Sequence, residues 1–78
     1  MMVEVFGPGC MRCEQTFKRI QDVIIELGRS DVGVTKITDP NMIAARGVMM
    51  TPAVMVDGRL LCHGKVPNAS EIRSWLVG

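Results

Sequence analysis

The sequence predicts an α/β fold of order β-α-β-α-β-β-α, a four-stranded mixed sheet with three helices on two faces. Three observations lead there. A short apolar segment stops at Gly7-Pro8-Gly9, and a helical period starts immediately after it. Two later apolar runs are joined by Asp57-Gly58, a pair suited to a two-residue hairpin loop. The chain then closes on a segment that opens with Asn68 and Glu71, spaced as a capping pair.

Each element has a local reason. Residues 2–6 are apolar apart from Glu4 and end at glycine and proline, which marks a strand. Over residues 11–27 the apolar positions Cys13, Phe17, Ile20, Ile24 and Leu27 recur at steps of four and three. Arg12, Glu14, Gln15, Lys18, Arg19, Asp22 and Glu26 occupy the opposite face, and Gly28 supplies the stop. Residues 32–37 are rich in β-branched side chains after a Ser-Asp turn and read as the second strand. Asp39-Pro40 has the form of an N-cap followed by proline at the first helical position, and the short helix through Ala44 and Ala45 ends at Gly47. Residues 53–56 and 59–62 form the hairpin. Ile72, Trp75 and Leu76 give the last helix its inward face. The first β-α-β unit is expected to be parallel and right-handed, and the hairpin to add antiparallel strands.

A chain of 78 residues makes one domain, residues 1–78. At this length folding removes only about 60% of the unfolded surface from water, which leaves a small core. An apolar fraction of 47% with 22% charged residues describes a globular protein. No apolar run approaches the ~18 residues that a bilayer span requires, so no membrane partner is expected. The first residues, Met1-Met2-Val3-Glu4, lack the basic stretch and apolar run of a secretory signal, and a cytoplasmic location is expected. A net charge of +1, no tyrosine and 4% aromatic residues give no footprint for nucleic acid.

Three cysteines are too few, and odd in number, for a secreted disulfide framework. In a reducing compartment a close pair points instead to catalysis or metal binding. Cys10 and Cys13 enclose Met11 and Arg12 at the predicted strand–helix junction. Residues three apart at a helix start lie on one side, within disulfide reach. The unpaired N–H groups of a first helical turn carry the positive end of the helix dipole and favour a thiolate, and Arg12 adds to that field. Such sites lower a cysteine pKa from ~8.5 into the range ~3.5–7.5. A drop to ~7 raises the thiolate fraction at neutral pH from about 3% to about 50%. Nucleophilicity falls along a Brønsted slope of ~0.5, so the net gain in attack is about threefold. A better leaving group and a second thiol nearby supply the rest. Cys10 is expected to attack and Cys13, on the apolar stripe, to resolve.

The alternative is a soft-metal site, for Cu(I) or zinc, on the same two thiolates. A zinc site needs further ligands. The remaining Cys62 and His63 are strand neighbours that point to opposite faces. A metallochaperone using the pair alone for Cu(I) stays open at this point.

The chain resembles the thioredoxin superfamily, and within it the small glutaredoxin-like proteins sometimes called redox-active disulfide protein 2. The residues that carry the resemblance are Gly7-Pro8-Gly9-Cys10-Met11-Arg12-Cys13, Thr51-Pro52 and Val56-Asp57-Gly58, and it covers nearly the whole chain. It implies a thioredoxin-like fold, with Cys10 and Cys13 as the catalytic dithiol and disulfide bond. It also implies a cis Pro52 against the disulfide and a Thr51 whose backbone pairs with an extended substrate. Met11 and Arg12, inside the motif, join Thr51 and Pro52 as substrate-binding candidates. The implied activity is protein dithiol–disulfide oxidoreduction, a form of electron transport. Its partners would be protein disulfides and a thioredoxin-reductase-like electron donor, acting on a monomer without a cofactor.

The sequence departs from the usual pattern of the family it resembles in places. The motif is neither Cys-Gly-Pro-Cys nor Cys-Pro-Tyr-Cys, and Gly9 stands where thioredoxins have tryptophan. Gly64-Lys65-Val66-Pro67 does not match the glutathione-gripping segment of glutaredoxins, so no glutathione site is assigned. Alternation leaves open which face Glu4 takes, and with it any counterpart of thioredoxin's buried acid. Cys62 reads as a small buried apolar residue, and His63, the single histidine, as an exposed loop-edge residue. The seven methionines are mostly spaced as core or near-core residues, with Met49 and Met50 as an apolar rim beside Thr51-Pro52.

Overall fold

A computed structural model describes residues 1–9 and 11–77. Among them it has β1 (Met2–Phe6), α1 (Met11–Leu27), β2 (Gly33–Ile37), α2 (Pro40–Ala45), β3 (Ala53–Val56), β4 (Arg59–His63) and α3 (Ala69–Val77). The sheet order is β2-β1-β3-β4. β1 and β2 run parallel, with Phe6 opposite Ile37. β1 and β3 run antiparallel, with Phe6 opposite Ala53, and β3–β4 is the antiparallel hairpin. This is the predicted mixed sheet with three helices, and it is a thioredoxin-like fold.

Strand alternation divides the core into two layers. Val3 and Val5 of β1, Val54 and Val56 of β3 and Cys62 of β4 share one face. Ile20 and Val23 of α1 and Ile72 and Leu76 of α3 cover them. Phe6, Ala53 and Met55 point the other way, onto Ile43 of α2, Ile37 and Val48. The buried line of α1 differs from the expected stripe: Cys13, Thr16, Ile20 and Val23 are buried, while Phe17, Ile24 and Leu27 are half-buried. α3 packs on α1, with Ile72 and Leu76 in one cluster with Ile20 and Val23. The Thr16 hydroxyl is satisfied by donating to the Arg12 carbonyl at 2.9 Å. Arg19 donates to the Pro67 carbonyl at 2.9 Å, Arg73 pairs with Glu26, and Arg29 donates to the Leu76 carbonyl.

Caps set the helix limits. Asp39 accepts from the Asn41 N–H at 2.9 Å, with Pro40 opening α2. α1 ends in a Schellman motif: Gly28 at φ 63° donates to Ile25, and Arg29 donates to Ile24. The same pattern closes α2, through Gly47 to Ala44 and Val48 to Ile43. Asn68 and Glu71 exchange reciprocal bonds of 2.8 and 3.2 Å, completing the capping box before α3. In the hairpin, Asp57 at φ 50° and Gly58 at φ 82° form a type I′ turn. The Asp57 carboxylate also accepts from the Met2 N–H at 2.8 Å.

Three features were not anticipated. β2 starts one residue later and β4 runs one residue further than expected. A register shift between Val54 and Met55 sets Leu60 opposite Met55 and Cys62 opposite Val54, so Leu61 is an extra residue, a β-bulge.

Candidate active site

The carboxyl end of β1 delivers the chain into α1 through Gly7, Pro8 and Gly9. Gly7 is buried and extends the sheet by one bond, its N–H donating to the Ile37 carbonyl at 3.0 Å. Helix α1 then starts at Met11. Cys10, the expected attacking residue, lies outside the described residues. Cys13 stands in the first turn of α1 and is 5% exposed. Its sulfur lies directly against Gly7: a Cβ built on Gly7 would collide with Cys13 Sγ, stand 2.8 Å from Cys13 Cβ and reach within 3.9 Å of Thr51 Cβ. Thus the strand end, the first helical turn and the segment before β3 meet around this sulfur.

That segment carries the other expected site residues. The Thr51–Pro52 peptide bond is cis, Pro52 is buried and Thr51 is half-buried. The Pro52 carbonyl accepts from the Gly64 N–H at 2.8 Å. The Gly64 carbonyl in turn accepts from Arg12 Nη2 at 3.2 Å. A hydrogen-bonded path therefore runs from the start of α1, through the turn after β4, to Pro52. Gly64 belongs to this constellation, and the sequence reading missed it; a lone glycine after a strand signals a turn and nothing more.

The methionines form a surface rather than a core. Met11 is 81% exposed and Met49 is 94% exposed, and Met50 is exposed as well. Met1, Met2 and Met42 are also exposed, and Met55 alone among the seven is buried. Most core positions are filled by valine and isoleucine, and those on the strands suit a pleated sheet. Met50 lies beside Gly64, so it borders the Pro52 turn.

Glu4 takes the α2 face, away from Cys13. Arg46 grips both of its carboxylate oxygens, at 2.7 and 2.9 Å, and lies 5.3 Å over the Phe6 ring. The Arg46 hydrogen bond holds the Glu4 carboxyl below its ordinary value. Glu4 is therefore occupied by an ion pair on the other layer. Cys62 is buried among the α1–α3 residues, and its thiol donates to the Lys65 carbonyl at 3.5 Å. Burial pushes that thiol's pKa up. His63 is exposed.

A groove of about 610 Å³ lies between α1 and β2, lined by Phe17, Ile24, Ile25, Val32, Val34 and charged rim residues. None of the candidate site residues lines it. Among the described residues no cluster of three or more His, Cys, Asp or Glu could hold a metal, and no helix is long and apolar enough to cross a membrane.

Known proteins match this chain along its length. A family model described as a thioredoxin domain matches residues 1–77. The chain is 37% identical over 76 residues to a thioredoxin of Methanocaldococcus jannaschii, covering 97% of this chain and 86% of that protein. It is 32% identical over 76 residues to a thioredoxin of Methanothermobacter thermautotrophicus, covering 97% of each. With the strand order described above and a match that runs from the first residue to the last helix, the chain belongs to the thioredoxin-domain family.

Proposed function

We propose that this protein is a small thiol–disulfide oxidoreductase that reduces protein disulfides with the Cys10/Cys13 dithiol. The observation that carries the reading is Cys13 itself. Its sulfur is buried in the first turn of α1, walled by Gly7 and next to the Thr51-Pro52 segment. Membership in the thioredoxin-domain family and two relatives named thioredoxin support it.

In this reading the Cys10 thiolate attacks one sulfur of a target disulfide. The target's S–S bond breaks, a Cys10–target mixed disulfide forms, and the first target thiol leaves. The Cys13 thiolate then attacks the Cys10 sulfur, forms the Cys10–Cys13 disulfide and expels the second target thiol. The target gains two electrons and the protein loses two. A dithiol donor of the reductase type restores them. Thr51 and Pro52 offer an extended edge for the substrate backbone, and Met11, Met49 and Met50 supply an adaptable apolar rim. Arg12 braces the turn at Gly64 and presents its charge beside the motif. The protein acts as a one-domain monomer in the cytoplasm, without nucleic acid, membrane or cofactor, and the narrower likeness to redox-active disulfide protein 2 belongs to the same reading.

The test is reduction of a protein disulfide such as insulin by the dithiol form. Wild type is expected to be active, Cys10→Ser inactive, and Cys13→Ser to trap substrates as mixed disulfides. Full activity in Cys10→Ser would sink the proposal. So would a tight 1:1 soft-metal complex in a wild type that reduces no disulfide.

A further inference from the structure

Gly7 has no role in the chemistry just described, yet its backbone stands directly against Cys13. It is buried, its N–H is committed to Ile37, and any side chain would enter the space occupied by the Cys13 sulfur. Both groups are held on regular structure: Gly7 by the end of the β1–β2 ladder, Cys13 by the first turn of α1. The sulfur can give way only by turning about χ1, which re-aims it, and Cys13 Cβ, 2.8 Å from a Gly7 Cβ, only by breaking a strand bond or shifting a helix that also carries Ile20 and Val23 into the core. The missing side chain is therefore a socket. Thr51 Cβ closes its far side, 3.9 Å from where a Cβ would stand.

We propose that Gly7 is a positioning residue for Cys13, its bare backbone forming the socket that aims Sγ for release of the mixed disulfide. The inference rests on the dithiol reading above and adds a determinant of its second step. In that step the Cys13 sulfur must reach the Cys10 sulfur in line with the bond to the target. A displacement of about 1 Å in such a reacting group costs up to ~100-fold in rate. The first step, attack by Cys10, does not use the Cys13 sulfur and is spared.

A chromogenic aromatic disulfide, 5,5′-dithiobis(2-nitrobenzoate), separates the two steps. The reduced protein releases one coloured thiolate on attack and a second when Cys13 resolves. In a Cys62→Ala background, Gly7→Ala is expected to release the first equivalent within about twofold of the parent rate and the second ~10–100-fold more slowly. The mixed disulfide then accumulates and is visible by mass spectrometry. Equal slowing of both equivalents, or no slowing, overturns the proposal. If Gly7→Ala does not fold, its stability in denaturant is compared with that of Gly7→Ala/Cys13→Gly, which removes both colliding atoms, Sγ and Cβ. Recovery in the double variant supports the socket, and no recovery overturns it. A parent protein that releases no second equivalent would refute the dithiol reading instead, and the stability pair would still decide whether Gly7 holds the sulfur.

Discussion

Cys62 and Cys13 are both buried on the α1–α3 side of the sheet, but their surroundings differ. Cys13 abuts a strand end and the Pro52 segment. Cys62 packs among Val54, Ile72 and Leu76 and spends its weak donor on Lys65. Desolvation raises its pKa, opposed by the nearby Lys65 charge and reinforced by Glu71. A thiol whose folded pKa is raised favours the native state below its ordinary value of 9.0, and that contribution fades as pH rises beyond it. Cys62 is therefore expected to react with iodoacetamide at pH 8 at least ~10-fold more slowly in the native protein than in denaturant. Peptide-resolved alkylation checks this. Rapid native labelling of Cys62 would place it in the accessible chemistry rather than in the core.

Among the elements, α3 most clearly owes its start to side chains. The Asn68–Glu71 box satisfies two end groups that the nine-residue helix cannot pair within itself. Asn68→Ala is expected to cost ~1 kcal/mol, read as a lower urea midpoint at unchanged slope. Ile72 and Leu76 would then be held by a frayed first turn, so exchange of α3 amides should rise before that of β1 or β3. The hairpin shows the opposite relation. Its turn was visible in Asp57-Gly58, but the bulge at Leu61 was not, because it depends on how β3 lines up with β1 and β4 together.

For the molecule as a whole, the radius of gyration of 11.4 Å is close to the ~11.5 Å typical of a compact chain of this length. Long-range ion pairs link its elements: Glu4 to Arg46, Glu14 to Lys36, Glu26 to Arg73. Hydrogen bonds from arginine or lysine lower the carboxyl pKa of Glu4, Glu26 and Glu71, and Arg29 lowers that of Asp31 to about 2. Each lowered group supports the native state above its ordinary pKa, and that support is lost as pH falls through the folded value. The urea midpoint should hold steady down to about pH 5 and fall below it, steepest between about pH 4.5 and 2. Asp31→Asn should flatten the part of the curve between 3.8 and about 2. Added salt should weaken the effect, since these pairs lie near the surface. An unchanged slope in that variant would mean the Arg29 pair does not drive acid unfolding.

By itself the sequence determined the element order, the helix stops, the hairpin turn and the Cys10–Cys13 spacing. These depend on residues within one turn or one pleat of each other, where glycine, proline, capping side chains and hydrophobic period act directly. It also marked Thr51-Pro52, through family resemblance. Only the tertiary structure decided that α1 buries Thr16 and Val23 ahead of Phe17 and Ile24, that Glu4 joins Arg46 on the α2 layer, and that six methionines face outward. It alone brought Gly7 to the sulfur of Cys13, and Arg12 and Gly64 to Pro52. Such pairings lie six to more than fifty residues apart along the chain. They are settled by which faces of helix and sheet bury each other, and no local pattern in the sequence carries that information.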